Sequence, residues 1–245
     1  MLTGLGVSVA SHPREGGWGV ALLDPPERLP ALDWTVPGDF SSAAFFLLLG
    51  LLRQGAGPLV IKGVGLNETR TGLLRVLARM GARIDVEPIP DAVGGEPMGD
   101  LLVSPSELSA CQVGGEEIPG LIDEVPILAV GAARAEGTTR ISGAGELRVK
   151  ETDRIRALVE NLRSLGVEVE ELADGLEIQG TNQPLRGRVR SFGDHRIAMA
   201  FGVLGSLPGN DVQVEGREVA AVSFPGFWEL LSRVSESSGA RGEIL

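Results

Sequence analysis

Hydrophobic and polar positions along the chain recur in two motifs. In the first, an amphipathic helix runs into a glycine and then a strand: Leu2-Thr-Gly-Leu-Gly6-Val-Ser-Val9, Leu77-Ala-Arg-Met-Gly81-Ala-Arg-Ile84 and Leu162-Arg-Ser-Leu-Gly166-Val-Glu-Val169. Gly6, Gly81 and Gly166 stand where a helix needs a left-handed terminating residue, at offsets of 75 and 85 residues. In the second, an aspartate precedes a helix that is apolar nearly all round: Asp39 before Ser-Ser-Ala-Ala-Phe-Phe, Asp123 before Glu-Val-Pro-Ile-Leu-Ala, Asp194 before His-Arg-Ile-Ala-Met-Ala. A helix without a polar face is a buried one. Each is followed by a short turn and a strand, at Leu59–Gly63, Thr139–Gly143 and Val212–Gly216.

The predicted unit is strand, buried helix, strand, amphipathic helix, two strands, a βαβαββ repeat. Unit one spans about Trp34 to Pro105, with its hairpin loop at Asp91–Gly99. Unit two spans about Cys111 to Gly180, with a hairpin turn at Ala173-Asp-Gly175. Unit three starts near Arg188, closes on a helix over Phe224–Val234, and lacks the final strand pair. Residues 1–35 read as the second half of a unit, with strands Val7–Ser11 and Trp18–Leu23 around a loop at Pro13–Gly17. The expected organisation is a remnant of one domain at 1–35, a domain of three units at 36–234, and a polar, frayed tail at 235–245. The fold class is α/β (α+β), with repeated units around buried parallel helices.

A net charge of −11 and the absence of a basic run argue against nucleic acid as a partner. The most apolar run, Ala43–Leu52, is shorter than the roughly 20 residues a membrane span needs. The N-terminal residues do not form a secretion signal. A single cysteine, Cys111, fits a reducing compartment. Together these predict a cytoplasmic protein.

The chemistry concentrates at the helix starts. If the repeat orients the three buried helices alike, their N-terminal partial charges converge on one face and favour an anion there. Aspartate is an ordinary N-cap, and that is the expectation for Asp39. At Asp123-Glu124 one carboxylate can cap and the other is free for base work or for a ligand hydroxyl. His195 and Arg196 follow Asp194 at the mouth of the third helix. The densest cluster is Glu146-Leu-Arg-Val-Lys-Glu-Thr-Asp-Arg154, which holds one of only two lysines, Lys150; the other is Lys62. Helical spacing would put Lys150 and Arg154 on one face, with Glu151 able to pair with Arg154. Such a cluster is either a solvated, ion-paired helix face or a site that binds and protonates an anion.

With these motifs in order, the chain resembles the 5-enolpyruvylshikimate-3-phosphate synthase family. The resemblance rests on Val36-Pro-Gly-Asp-Phe-Ser-Ser-Ala-Ala44, Asp123-Glu-Val-Pro-Ile-Leu-Ala129, Leu147-Arg-Val-Lys-Glu-Thr-Asp-Arg154, Asp194-His-Arg-Ile-Ala-Met199 and Ser223-Phe-Pro-Gly-Phe227. The Arg-Val-Lys-Glu-Thr-Asp-Arg run separates it from UDP-N-acetylglucosamine enolpyruvyl transferase, which shares the fold. The resemblance implies an enolpyruvyl transferase fold of two similar domains with a cleft between them. It also implies transfer of enolpyruvyl from phosphoenolpyruvate to the 5-hydroxyl of shikimate 3-phosphate, in aromatic amino acid biosynthesis. No metal or organic cofactor is implied; glyphosate is the family's inhibitor.

By resemblance, Asp123 binds the shikimate hydroxyls and takes the proton of the 5-hydroxyl. Lys150 lies near that hydroxyl and the leaving phosphate, and Glu151 protonates the methylene carbon. Arg154 and Arg196 clamp the phosphoenolpyruvate carboxylate, with His195 nearby. Glu146 stands where some members contact the shikimate phosphate through asparagine. Val222 stands where some have a lysine on phosphoenolpyruvate. The Lys-Ser, Gly-rich Asn/Thr-Arg and Ser-Ser-Gln segments of the family's N-terminal half have no counterpart here. The chain is therefore expected to correspond to roughly the last three-fifths of the family and to be inactive without an N-terminal half as complementing partner. A non-catalytic folded module that retains anion binding is the alternative.

Overall fold

The structure, a computed structural model, describes residues 2–15, 17–23, 26–29, 31, 34–90, 96–236 and 242–244. Its centre is three buried helices, α1 (Phe40–Leu52), α3 (Val125–Ala133) and α5 (His195–Ser206), which pack against one another. Almost every side chain of α1 and α3 is withdrawn from water, as their lack of a polar face requires. The amphipathic helices α2 (Gly72–Arg79), α4 (Arg154–Ser164) and α6 (Phe227–Glu236) turn their apolar faces inward. Gly6, Gly81 and Gly166 all adopt positive φ, at 78°, 88° and 82°, as the helix-ending motif demands.

Around this centre, β3 (Leu59–Gly65), β4 (Arg83–Pro88) and β5 (Met98–Ser104) form the sheet of unit one. β6 (Gln112–Val113), β7 (Thr138–Ile141), β8 (Val169–Leu172) and β9 (Gly175–Gln179) form that of unit two, in the order β6-β7-β9-β8. Leu172 pairs with Gly175, so the hairpin turns on Ala173 and Asp174 as predicted. In unit three, β10 (Arg186–Arg190) pairs parallel with β11 (Asp211–Glu215). A separate hairpin, β1 (Ser8–Arg14) with β2 (Gly17–Leu23), leaves Trp18, Val20 and Leu22 exposed. Its strands run through Pro13, Arg14 and Gly17, so the turn is tighter than the expected Pro13–Gly17 loop. Residues 91–95 of the predicted unit-one loop lie outside the described residues.

One expectation is overturned at the C-terminus. Gly242–Ile244 is not frayed but forms β12, paired parallel with β3 from Leu59 to Ile61. Units two and three each place a parallel strand beside the first strand after the buried helix, β6 beside β7 and β10 beside β11. Ahead of α1, unit one has among the described residues a single parallel bridge to β3, Gly38 with Val64, and the other end of the chain pairs along the rest of that edge. Burial of Ile244 supplies the driving force. No described helix is long and apolar enough to cross a membrane.

Candidate functional site

The repeat does bring the three buried helix starts together. Ser41, at the start of α1, donates through Oγ to Glu124 Oε1 at 2.5 Å, just before α3. Arg196, in the first turn of α5, donates through Nη1 to the backbone carbonyl of Asp123 at 3.1 Å. Asp39 caps α1 through the Ser42 amide at 2.8 Å. Asp194 caps α5 by accepting from the amides of Arg196 and Ile197, at 2.8 and 3.2 Å.

Asp123 and Glu124 depart from the capping expectation. Both lie in a 3-10 turn, Ile122–Glu124, that runs straight into α3, and neither caps it. Glu124 has φ −92° and ψ −5°, close to helical values, whereas a capping residue needs an extended backbone. Both carboxylates are thereby left to the site. Asp123 Oδ2 lies 3.6 Å from Arg70 Nη2 and 3.6 Å from Arg196 Nη2, and its Oδ1 lies 3.5 Å from Arg154 Nη1. Burial disfavours the charge, but Arg196, Lys150, Arg154 and Arg70 outweigh it and hold the Asp123 carboxyl below its ordinary titration range. Glu124 is deeper, and burial pushes its carboxyl up against the opposing pull of Ser41, Arg196 and Arg70. Its second oxygen, Oε2, has no hydrogen-bond partner among the described residues.

The charged cluster is not the start of a helix either. Gly145–Val149 is a 3-10 turn, Lys150 ends it in an extended conformation, and Asp153 caps α4 by accepting from the Arg156 amide. Lys150 and Arg154 therefore do not share a helix face. Lys150 Nζ pairs with Glu146 Oε1 at 2.7 Å, and Arg154 Nη2 with Glu151 Oε2 at 2.7 Å. Arg154 begins α4, and its side chain is only 1% exposed. Its Nε donates to the fully buried Asp194 at 2.7 Å, and its Nη1 has no hydrogen-bond partner among the described residues. His195 is half-buried, and desolvation holds its imidazole below the ordinary value.

Asp123, Lys150, Glu151, Arg154, His195 and Arg196 are thus joined by contact, by sequence adjacency or by the field at Asp123; Glu146 joins through Lys150. Arg70 is the residue that sequence reading passed over. A signal for it existed: eighty-four residues separate Arg70 from Arg154, as they separate Asp39 from Asp123. Arg70 is the unit-one counterpart of Arg154.

The sequence model of one family, EPSP synthase (3-phosphoshikimate 1-carboxyvinyltransferase), matches residues 1–231. The chain belongs to the EPSP synthase family. It is 51% identical over 223 residues to the 3-phosphoshikimate 1-carboxyvinyltransferase of Salinibacter ruber, covering 91% of this chain and 51% of that protein. Against the Thermus thermophilus enzyme of the same name the identity is 52% over 210 residues, covering 85% and 48%. The structure of EPSP synthase from Acinetobacter baumannii superposes with a TM-score of 0.83 at 35% identity, over 98% of this chain and 53% of that one. The enolpyruvyl transferase NikO from Streptomyces tendae, at 21% identity and a TM-score of 0.69, shares the fold. The chain spans about half the length of the curated relatives it matches, somewhat less than the three-fifths expected.

Proposed function

We propose that the chain is the C-terminal part of an enzyme that moves the enolpyruvyl group of phosphoenolpyruvate onto the 5-hydroxyl of shikimate 3-phosphate. The observation that carries this reading is the ring of cations around Asp123. Arg70, Arg154 and Arg196 all stand within 3.6 Å of one carboxylate whose titration they depress. So many cations around one carboxylate suit a site that receives an anion.

In the addition step the 5-hydroxyl oxygen bonds to C2 of phosphoenolpyruvate, its proton passes to Asp123, and Glu151 protonates the C3 methylene. In the elimination step C3 returns a proton to Glu151, the C2–C3 double bond re-forms, the C2–O bond to phosphate breaks with its electron pair on oxygen, and inorganic phosphate leaves. A carboxylate with a depressed pKa is a weak base, and the arrangement answers this through the substrate itself. An anion seated on Arg196, and on Arg154 through Nη1, which lies 3.5 Å from Asp123 without a hydrogen bond, neutralises part of the field on Asp123 and raises its basicity when the hydroxyl arrives. Lys150 stands by for the leaving phosphate, with Glu146 as its partner until substrate binds. His195, adjacent to Arg196, is held toward the neutral form by burial and supplies a hydrogen bond rather than a charge.

One side of a cleft does not orient two substrates, so the chain alone is inactive and needs a polypeptide supplying the other half. Phosphate release from the two substrates tests both statements. The expected result is none with the chain alone and turnover once a separately produced N-terminal half is added. Turnover by the chain alone would overturn the need for a partner. None in either case, with both parts folded, would favour a non-catalytic module.

A further inference from the structure

Arg70 follows β3 and stands just ahead of α2 in unit one, where Arg154 follows β7 and opens α4 in unit two. The two counterparts are used differently. Arg154 is buried in ion pairs, whereas the Arg70 side chain is 42% exposed. Among the described residues the hydrogen bond of Arg70 runs from Nη2 to Ser41 Oγ, at 3.1 Å. Its distances to Asp123 Oδ2 and Glu124 Oε1, 3.6 and 3.9 Å, are too long for hydrogen bonds. A guanidinium has five N–H donors, so most of this one remains available to a ligand.

What fixes Arg70 is a two-bond relay. Ser41 donates its hydroxyl proton to Glu124, which leaves an oxygen lone pair to accept from Arg70. Glu124 sets that direction because its side chain is closed off from water and accepts from Ser41 on one oxygen only. Arg196 approaches the same two carboxylates at nearly the same distances, 3.6 Å from Asp123 and 3.8 Å from Glu124. Two guanidiniums, from different units of the repeat, therefore straddle the Asp123-Glu124 pair.

We propose that Arg70 is an anion ligand of this site, acting beside Arg196 on phosphoenolpyruvate, and that Ser41 and Glu124 are the positioning residues that hold it there. The assignment rests on the functional reading above. Ser41 offers no charge to the ligand and works by orienting Arg70. Glu124 works one bond further back.

Binding of phosphoenolpyruvate and, separately, of inorganic phosphate to the full chain tests this by calorimetry, with thermal melts of each variant alongside. Arg70→Ala is expected to weaken phosphoenolpyruvate binding about tenfold or more, the loss of a charge-assisted hydrogen bond. Ser41→Ala is expected to act in the same direction. Glu124→Gln keeps an acceptor for Ser41 and is expected to retain binding that Glu124→Ala loses; a merely structural role would not give this rescue pattern between variants whose melts show both folded at the assay temperature. Arg75→Ala, at an exposed site on α2, is the control and leaves binding unchanged. Loss of phosphate binding together with phosphoenolpyruvate binding assigns Arg70 to the phosphoryl group; loss of phosphoenolpyruvate binding alone assigns it to the carboxylate. Unchanged binding by Arg70→Ala, with binding lost in Arg196→Ala, would overturn the assignment and leave the functional reading standing. Absence of any binding by the unaltered chain at millimolar concentrations would overturn the assignment, and together with no phosphate release after the N-terminal half is added it would overturn the functional reading as well.

Discussion

Arg154 Nε donates to Asp194 Oδ2 at 2.7 Å, with both side chains closed off from solvent. Asp194 also accepts from two amides at the start of α5, so one carboxylate fixes the opening of a central helix and the guanidinium of a neighbouring one. The pair therefore couples unit two to unit three. It also explains how Arg154, one of two buried arginines among the described residues with Arg53, keeps its charge away from water.

Breaking this pair from one side strands a buried charge, which costs about 3–5 kcal/mol. Arg154→Ala and Asp194→Asn should each lower unfolding stability by that order in urea denaturation. Asp194→Asn keeps an amide acceptor for the α5 cap, so most of its loss reports the ion pair. The double variant should lose clearly less than the sum of the two. Additive losses would mean that the pair contributes nothing as a pair.

Much of this arrangement was legible beforehand because helix burial and helix ends are local properties. Glycine at 6, 81 and 166 and the all-apolar runs after Asp39, Asp123 and Asp194 announce themselves without knowledge of tertiary contacts. The errors came where a backbone choice was decided by what packs on it. Glu146–Arg154 has helical spacing and strong helix formers, yet it is a 3-10 turn and an extended residue ahead of α4. Asp123 looks like a cap and is released from that task by the preceding turn. Gly242–Ile244 has no strong strand propensity and pairs because β3 offers an open edge. Arg70 was missed for a different reason. Its unit-one surroundings carry no dense charge cluster, and only the repeat spacing points to it.

The C-terminal strand makes a direct stability forecast. A chain ending after Glu236 loses the pairing on β3 and the burial of Ile244, which forms part of the wall of a cavity beside Phe46 and Ile61. Full burial of such a side chain contributes about 1.5–3 kcal/mol, so the shortened chain should be less stable by roughly that amount. Amide hydrogen exchange gives the local check, with faster exchange expected at Leu59, Val60 and Ile61 and little change in β7 or β9. Unchanged protection in β3 would show that β12 does not hold that edge.

Glu124 supplies a test with a definite sign in pH. Burial raises its pKa above the unfolded value, so its contribution to stability is fully present below the unfolded pKa and is lost as pH rises through the folded one. Glu124→Gln imitates the neutral form. Its stability relative to the unaltered chain should therefore increase as pH rises above the ordinary glutamate value of about 4.3, by ~1.4 kcal/mol for each unit of pKa shift. Urea denaturation across that range reads the difference, in which the opposing contribution of Asp123 largely cancels. A difference that stays flat with pH would contradict the buried, uphill carboxylate.

Asp123 has the opposite sign, and its titration reads the cation ring directly. Its pKa is depressed, so its stabilising contribution is present above the unfolded pKa and falls away as pH drops through the folded value. Carboxyl carbon NMR should give a midpoint below the ordinary aspartate value of about 3.9. Arg196→Ala should raise it, since Arg196 is the strongest of the four cations acting there. Saturating phosphoenolpyruvate should raise it too, because the bound anion offsets the same guanidiniums. This last shift is what makes Asp123 a usable base, since it links occupation of the anion site to proton acceptance at the hydroxyl. A midpoint that Arg196→Ala moves but phosphoenolpyruvate does not would keep the electrostatics and remove that link from the mechanism.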